Sequence, residues 1–251
     1  MEFNSQLAKN TVYTCNFQDE SKKFLQDIIN ALQYKNDFRY FFLGSFNGRG
    51  LSPHCLLILH FLLRGNRGLR AHIISKDLDQ SLLIKDVFIR LFGDSFYIKD
   101  IYNKGQEIYI EYNSGSFITL ISEGSHLYSD FSLNKKLNNL ETDIIWLNRI
   151  NELQKATFMR SQERVGNRGN QGKLPGIILS TYYHDMNGGW FNQDVIDNPI
   201  SSYNIYFDKT KGNSFIVNDE NLGGIEGIEQ FFCHGFEQDQ YVKIGEQYYG
   251  I

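Results

Sequence analysis

The stretch Gly44-Ser-Phe-Asn-Gly-Arg-Gly-Leu-Ser-Pro-His54 stands between two apolar runs, residues 41–43 and 55–59. A glycine-rich turn between a predicted buried strand and a predicted helix is typical of a phosphate-binding loop. Such a loop normally reads G-x-x-x-x-G-K-[ST], and we place Pro53 and His54 where the lysine and the hydroxyl residue should be. The stretch therefore predicts the geometry of a nucleotide loop without its usual ligands.

Strand and helix signals alternate along the rest of the chain. Helices are predicted at 19–34, 53–63, 79–92 and 150–164, strands at 39–43, 69–74, 143–147 and 176–180, a hairpin at 107–121, and short strands at 203–207, 214–217 and 241–244. This order predicts an α/β fold: a P-loop NTPase-like, mostly parallel sheet with helices on both faces, an antiparallel hairpin and a small C-terminal β-rich subdomain. We place the core at residues 1–200 and a lid-like or linker subdomain at 201–251.

Composition limits the classes of protein that remain. The 251 residues carry a net charge of −4, so the chain has no overall positive field and any contact with nucleic acid requires a local patch. The best local candidate is the basic run of Arg160, Arg164, Arg168 and Lys173, for which a solvated surface is the alternative interpretation. The longest apolar run is far shorter than the ~20 residues of a membrane span. Three scattered cysteines argue against a zinc ribbon or a disulfide framework. These features predict a soluble cytoplasmic protein.

Five segments resemble, in order, motifs of the large subunit of tailed-phage terminases, the DNA-packaging motors. They are residues 39–50 (nucleotide loop), 110–118 (hairpin), 143–152 (second nucleotide motif), 180–190 (coupling segment) and 244–250 (the close of the ATPase portion). The resemblance covers residue 37 to the end. It implies an ATPase domain alone, because the nuclease domain of that family would begin about where this sequence stops.

The positions that would carry ATP chemistry depart from the family pattern. The degenerate nucleotide loop comprises Gly44, Gly48, Arg49, Gly50, Ser52, Pro53 and His54, and the coupling segment contributes Ser180 and Thr181. At the second motif, Asn148 and Arg149 replace an Asp–Glu pair. An amide cannot act as a general base, and a guanidinium does not accept a proton at neutral pH. We expect Ser52 to cap the following helix and Pro53 to begin it, and the alternative is weak binding of an anion at the helix start with the help of Arg49. We expect Asn148 and Arg149 to form a polar strand end that faces the vacant site, and the alternative is that Arg149 fills the phosphate space with its charge.

The leading hypothesis is a terminase-like component of a viral DNA-packaging system that has lost ATP hydrolysis and binds neither a nucleotide cofactor nor a metal. The resemblance implies an active packaging ATPase, a portal or capsid component, or DNA as its partners, in a host cell or a virion, and the oligomeric state stays open. One alternative is an active ATPase that uses ATP and magnesium with Arg49 and Glu152 as substitute ligands. The other is a nucleic-acid-binding module.

Overall fold

The structure is a computed structural model. It describes residues 27–28, 30–31, 38–45, 51–93, 95–123, 142–165, 176–183, 189–198, 200, 203–208, 241–244 and 247–250. Several predicted features lie outside these residues: Gly48, Arg49 and Gly50 of the loop, Arg168 and Lys173 of the basic run, and the strand at 214–217. The side chain of His54 is outside them as well.

The described residues include ten strands and three α-helices with the bounds given below, and residues 27–28 and 30–31 are also helical. The strands are β1 Tyr40–Ser45, β2 Arg70–Ser75, β3 Ile98–Lys104, β4 Glu107–Tyr112, β5 Phe117–Ser122, β6 Ile144–Leu147, β7 Ile177–Tyr183, β8 Tyr203–Asp208, β9 Tyr241–Ile244 and β10 Gln247–Gly250. The helices are α1 Leu51–Gly65, α2 Leu78–Phe92 and α3 Lys155–Arg164, with a 3-10 turn at Ile150–Glu152 and a π-helical turn at Asn192–Ile196. None of these helices is long and apolar enough to cross a membrane.

Eight strands form one sheet in the order β3-β4-β5-β2-β6-β7-β1-β8. From β5 to β8 all neighbours are parallel. The strand β4 is antiparallel to both β3 and β5, which confirms the predicted hairpin. A separate antiparallel pair, β9 and β10, lies near the end of the chain.

Apolar side chains fill both faces of the sheet. On one face, Phe41 and Ile73 belong to a buried cluster with Leu59 of α1 and Phe88 of α2. On the other, Phe42 belongs to a cluster with side chains of α3 and of the π-helical turn. Because both faces are covered, the central strands are almost entirely buried, and β6 consists only of buried apolar residues. We call these the α1/α2 face and the α3 face.

Three strands differ from the sequence prediction, and one of them, β10, was not predicted at all. β3 was not predicted, because it is an edge strand with several exposed polar residues and no regular apolar alternation. β8 was assigned to the small subdomain, but it pairs with β1 along six residues and is the opposite edge of the main sheet. The predicted boundary at residue 200 therefore separates β8 from the sheet to which it belongs.

Two histidines are buried in the sheet region. His60 of α1 stacks on Phe92 at 4.1 Å, and its Nδ1 lies 3.3 Å from the Tyr112 hydroxyl. His72 of β2 is 1% exposed, and neither of its ring nitrogens has a hydrogen-bond partner among the described residues. Burial lowers the pKa of His72 to about 4 from an ordinary value of 6.5, although the carboxylate of Glu107 opposes this shift. His72 is therefore held in its neutral form in the folded protein.

This burial predicts a pH-dependent stability. Between pH 6.5 and 4 the unfolded chain binds a proton at His72 and the folded chain does not, so the free energy of unfolding falls as pH decreases through this window. We expect His72 to contribute a loss of about 2 kcal/mol between pH 7 and about pH 4.5, and His72→Leu to remove that contribution. Urea unfolding followed by circular dichroism at both pH values measures it. The control is Thr119→Val at the buried position paired with His72, which should keep the wild-type pH dependence.

Candidate functional site

The start of α1 corrects the predicted loop. The helix begins at Leu51, two residues earlier than expected, so Ser52 is its second residue. Ser52 does not cap the helix; it lies in the first turn, and its Oγ donates to Asn148 Oδ1 at 3.5 Å. Pro53 is the third helical residue, where a missing N–H costs no intrahelical bond. Ser52 therefore presents its hydroxyl to Asn148 from the first turn of the helix.

Asn148 lies at the carboxyl end of β6 and is 2% exposed. Its backbone N–H donates to the Ile74 carbonyl at 2.9 Å. Its side-chain oxygen accepts from Ser52 and from Thr181 Oγ1, each at 3.5 Å, and its Nδ2 donates to Gln80 Oε1 at 3.4 Å. These contacts are long and individually weak, but together they satisfy a buried amide. The side chain at the expected metal position is thus in contact with three protein side chains.

Gln80 was not predicted as a site residue. It lies in the first turn of α2, where Asp77 caps the helix by accepting the Gln80 N–H at 2.8 Å. In a capping box the glutamine side chain would turn back to the cap residue. Here its Nε2 instead donates to Glu152 Oε2 at 2.6 Å, while its oxygen accepts from Asn148. The position of Gln80 after a parallel strand was the available sequence signal, because ligand sites of α/β sheets form at these strand ends.

Arg149 adopts a left-handed backbone conformation, φ 55° and ψ 59°. It is the only non-glycine residue with positive φ in the described part of the chain. Its N–H donates to Thr181 Oγ1 at 3.0 Å, and its guanidinium lies 3.3 Å from Glu152 Oε1 and 5.1 Å from the ring centroid of Tyr183. The arginine side chain is therefore held by a carboxylate and an aromatic ring inside the protein.

A helix that begins at residue 150, as the sequence predicts, would place Glu152 about one helical turn away from the strand end. The short 3-10 turn and the left-handed Arg149 instead bring its carboxylate into contact with both Gln80 and Arg149. The side chain is only 15% exposed. Glu152 thus joins the polar group around Asn148, but both carboxylate oxygens already accept hydrogen bonds.

The two predicted coupling residues point to opposite faces of β7. Thr181 Oγ1 accepts from Arg149 N and from Trp146 Nε1 at 3.4 Å, and it contacts Asn148. Ser180 is also fully buried, but its hydroxyl has no hydrogen-bond partner among the described residues. Because side chains alternate along a strand, Thr181 belongs to the site on the α1/α2 face and Ser180 does not.

Gly44 at the end of β1 lies directly beside Tyr182 of β7. A Cβ on Gly44 would lie 2.1 Å from Tyr182 Cζ and 2.4 Å from its hydroxyl oxygen. Tyr182 is 4% exposed, and burial raises its pKa to about 12. The phenol ring thus occupies the space beside the first glycine of the predicted loop, and this close approach requires glycine.

A cleft of about 160 Å³ lies beside Ser52, Asn148 and Arg149. It is lined by Ser52, Pro53, Gln80, Leu83, Ile84, Val87, Asn148, Arg149 and Tyr183. The α2 side chains and Pro53 make an apolar wall, and the polar groups at the strand ends make the opposite side. Of the residues that line the cleft, the sequence analysis predicted only Ser52, Pro53, Asn148 and Arg149 as site residues.

The side chains at the strand ends do not fit a magnesium–nucleotide site. Magnesium prefers carboxylates and water, whereas Asn148 offers an amide and the carboxylate of Glu152 is paired with Arg149. The described residues contain no group of three or more His, Cys, Asp or Glu side chains that could hold a metal ion. Leucine at position 51 also supplies no ammonium group for a triphosphate.

The predicted basic run is only partly described. Arg160 of α3 lies 3.8 Å from Glu163, one turn along the helix, and Arg164 ends the helix in a half-buried position. The contact with Glu163 is weak and exposed, so it leaves the solvated-surface interpretation and the nucleic-acid interpretation both open.

Comparison with known proteins identifies the fold. No protein-family model matches the sequence, and no curated protein matches it. Among solved structures, the chain is similar to the large terminase of a thermophilic bacteriophage, with a TM-score of 0.57 and 11% identity over 94% of this chain and 53% of that one. It is also similar to the large terminase of bacteriophage HK97, with a TM-score of 0.53 and 11% identity over 88% of this chain and 47% of that one.

The chain therefore has the α/β fold found in phage large terminases, and the predicted fold class is confirmed. It spans about half the length of the terminases that it matches. At 11% identity the likeness concerns the fold.

The contact between Gly44 and Tyr182 gives a prediction. We expect Gly44→Ala to lower the free energy of unfolding by about 2 kcal/mol, because the added methyl overlaps a buried ring. In a Tyr182→Leu background, which removes the overlapping ring atoms, the same change should cost less than about 1 kcal/mol. Tyr182→Phe keeps Cζ and should give no such relief. Urea unfolding of the single and double variants measures the coupling, and equal costs in all three backgrounds would show that the close approach is absent.

Proposed function

We propose that this chain is a terminase-like component of a bacteriophage DNA-packaging system that keeps the ATPase fold for a structural or regulatory role and does not hydrolyse ATP. The fold shared with phage large terminases supports the packaging assignment. The observation that carries the loss of hydrolysis is the Asn148 amide, which bridges Ser52, Thr181 and Gln80 where an ATPase needs a carboxylate for magnesium.

Three further features support the same proposal. Arg149 stands at the position of the residue that orients the attacking water, and a guanidinium cannot accept a proton there. Leu51 replaces the phosphate-binding lysine at the start of α1. The Glu152 carboxylate is already paired with Arg149. The partners we propose are an active packaging ATPase, a portal or capsid component, or DNA, in the host cytoplasm or on the virion.

A second candidate function is an active packaging ATPase with unconventional ligands. One observation favours it: the Glu152 carboxylate lies within 2.6 Å of Gln80, beside the cleft, instead of a helical turn away. In that case Glu152 would orient the attacking water, and Arg49, outside the described residues, would bind phosphate. The large terminase of the thermophilic phage was also solved with ADP and with ATP-γ-S, so both nucleotides are suitable probes.

The two functions predict different results with ATP. We expect calorimetry with magnesium and ATP or ATP-γ-S to detect no binding, and phosphate release to stay at background with and without DNA. Glu152→Gln and Arg49→Ala should then leave that background unchanged. Magnesium-dependent turnover that disappears in Glu152→Gln would establish the active alternative. Magnesium-dependent turnover that persists in both variants after further purification would overturn the proposed loss of hydrolysis and assign it to other residues of the chain.

Restoring the missing groups provides a gain-of-function test. Leu51→Lys with Asn148→Asp supplies an ammonium and a magnesium-binding carboxylate beside the retained Ser52 hydroxyl. We expect this double variant to bind magnesium–ATP at least about tenfold more tightly than the wild type, because charge-assisted contacts to phosphate and metal are strong. The matched control is Leu51→Gln with Asn148→Ala, which changes the same positions without charges. Equal affinity in both double variants would mean that this edge of the sheet is not a lapsed nucleotide site.

A further inference from the structure

The end of the sheet opposite to Asn148 carries a second polar surface. It consists of residues 64–70 after α1, residues 95–97 before β3 and residues 113–117 in the β4–β5 turn; we call it the amino-end surface. Hydrogen bonds join the three segments. Ser114 Oγ donates to the Leu63 carbonyl at 2.8 Å, Ser116 Oγ accepts from Leu69 N at 2.9 Å, and Asn113 N donates to the Tyr97 carbonyl at 2.9 Å.

The charge of this surface differs in sign from that of the whole chain. The three segments contain Arg64, Arg67 and Arg70 and no Asp or Glu, whereas the chain as a whole carries −4. Asp143 touches the surface from below, where its carboxylate accepts the Arg70 backbone N–H at 2.9 Å. Asp143 is 1% exposed, so it is not presented at the surface. Of the three arginines, Arg67 is the one that is exposed.

Aromatic rings are interleaved with these arginines. The Arg64 guanidinium lies 5.1 Å from the Tyr97 ring centroid, and the Arg70 guanidinium lies 5.9 Å from that of Phe117. These stacking contacts orient the guanidinium planes. The neighbouring Phe96 is 57% exposed, and its ring centroid lies 6.0 Å from that of Tyr97. Arg67 is exposed in the turn between α1 and β2.

We propose that the amino-end surface binds single-stranded nucleic acid. Cations that follow a phosphate backbone, together with an exposed ring on which a base can stack, are the two features of sequence-tolerant single-strand binding. A duplex offers phosphates but keeps its bases stacked, so it would use the arginines and not Phe96. An acidic protein segment would likewise gain little from the ring. This inference does not depend on whether the chain hydrolyses ATP.

Fluorescence anisotropy with the full chain tests the proposal. The probes are a labelled oligodeoxythymidine of about 20 nucleotides and a duplex of the same length, each in a series of salt concentrations. We expect Arg67→Gln to weaken single-strand binding and to reduce the salt slope by about one, as for the loss of one phosphate contact. Phe96→Ala should weaken single-strand binding by about fivefold or more and leave duplex binding unchanged.

Matched variants elsewhere on the surface serve as controls. Lys76→Gln removes an exposed charge at the opposite end of β2, and Met159→Ala removes an exposed apolar side chain that is 52% accessible. Neither should change binding. Arg67 and Phe96 are exposed, so thermal unfolding of their variants should match the wild type.

Four results would overturn the proposal. The first is absence of salt-dependent binding by the wild-type chain. The second is a loss of affinity in Lys76→Gln equal to that in Arg67→Gln. The third is binding of the duplex or of poly-glutamate as tightly as the single strand with no effect of Phe96→Ala, which would indicate a general polyanion surface. The fourth is weaker binding in Arg164→Gln with no change in Arg67→Gln, which would place the nucleic acid on the basic run after α3.

Discussion

The buried amide of Asn148 is the contact on which the arrangement at the carboxyl ends of the strands depends. It joins the end of β6 to the first turns of α1 and α2 and to β7 through Ser52, Gln80 and Thr181. An amide has both a donor and an acceptor, so it can bridge two helices without an ion. A carboxylate at the same place would bury a negative charge that requires a cation. The amide thus allows the side chains at this edge of the sheet to contact one another without a bound ion.

The contacts of the neighbouring Arg149 show that the polar side chains at this edge of the sheet depend on one another. Its left-handed backbone costs on the order of 1 kcal/mol for a side chain without a local hydrogen-bonding role. The Thr181 hydroxyl holds its N–H, and Glu152 and Tyr183 hold its guanidinium. Glu152 is in turn held by Gln80, which contacts Asn148. Because each member satisfies another, removing one leaves a buried polar group unpaired, and the cost exceeds that of one weak hydrogen bond.

The parts of this fold that sequence predicts are those in which one physical signal dominates. The apolar runs of β1, β6 and β7 identify buried parallel strands, because nothing except a central strand requires such continuous apolarity over so few residues. The start of α1 was misplaced because Pro53 favours the first helical position, although the first turn accepts proline at later positions too. β3 and β8 were missed or misassigned because an edge strand is defined by its partner and not by its own pattern.

Sequence predicts the site residues that end a strand or lie near a helix start. It does not predict the contacts between residues of separate segments. Asn148 and Arg149 could be identified because they end a strand, as could Ser52 because it lies near a helix start. Gln80, Glu152 and Tyr183 come from three other segments, and their contacts depend on a 3-10 turn and a left-handed residue that no composition rule fixes. Tyr182 lies beside Gly44 because β1 and β7 pair in a particular register. This contact can therefore be identified only from the paired strands.

The two ends of the sheet differ in how their side chains are arranged. Ligand sites commonly hold groups whose needs are met only when the ligand binds, and this costs stability. At the carboxyl ends of the strands the polar side chains satisfy one another, which favours stability over ligand binding. At the amino ends, Phe96 and Arg67 are exposed, and the three segments of that surface contain arginines and no carboxylate side chain. A ligand can reach the exposed Arg67 and Phe96 directly, whereas at the carboxyl ends it would have to break contacts between side chains.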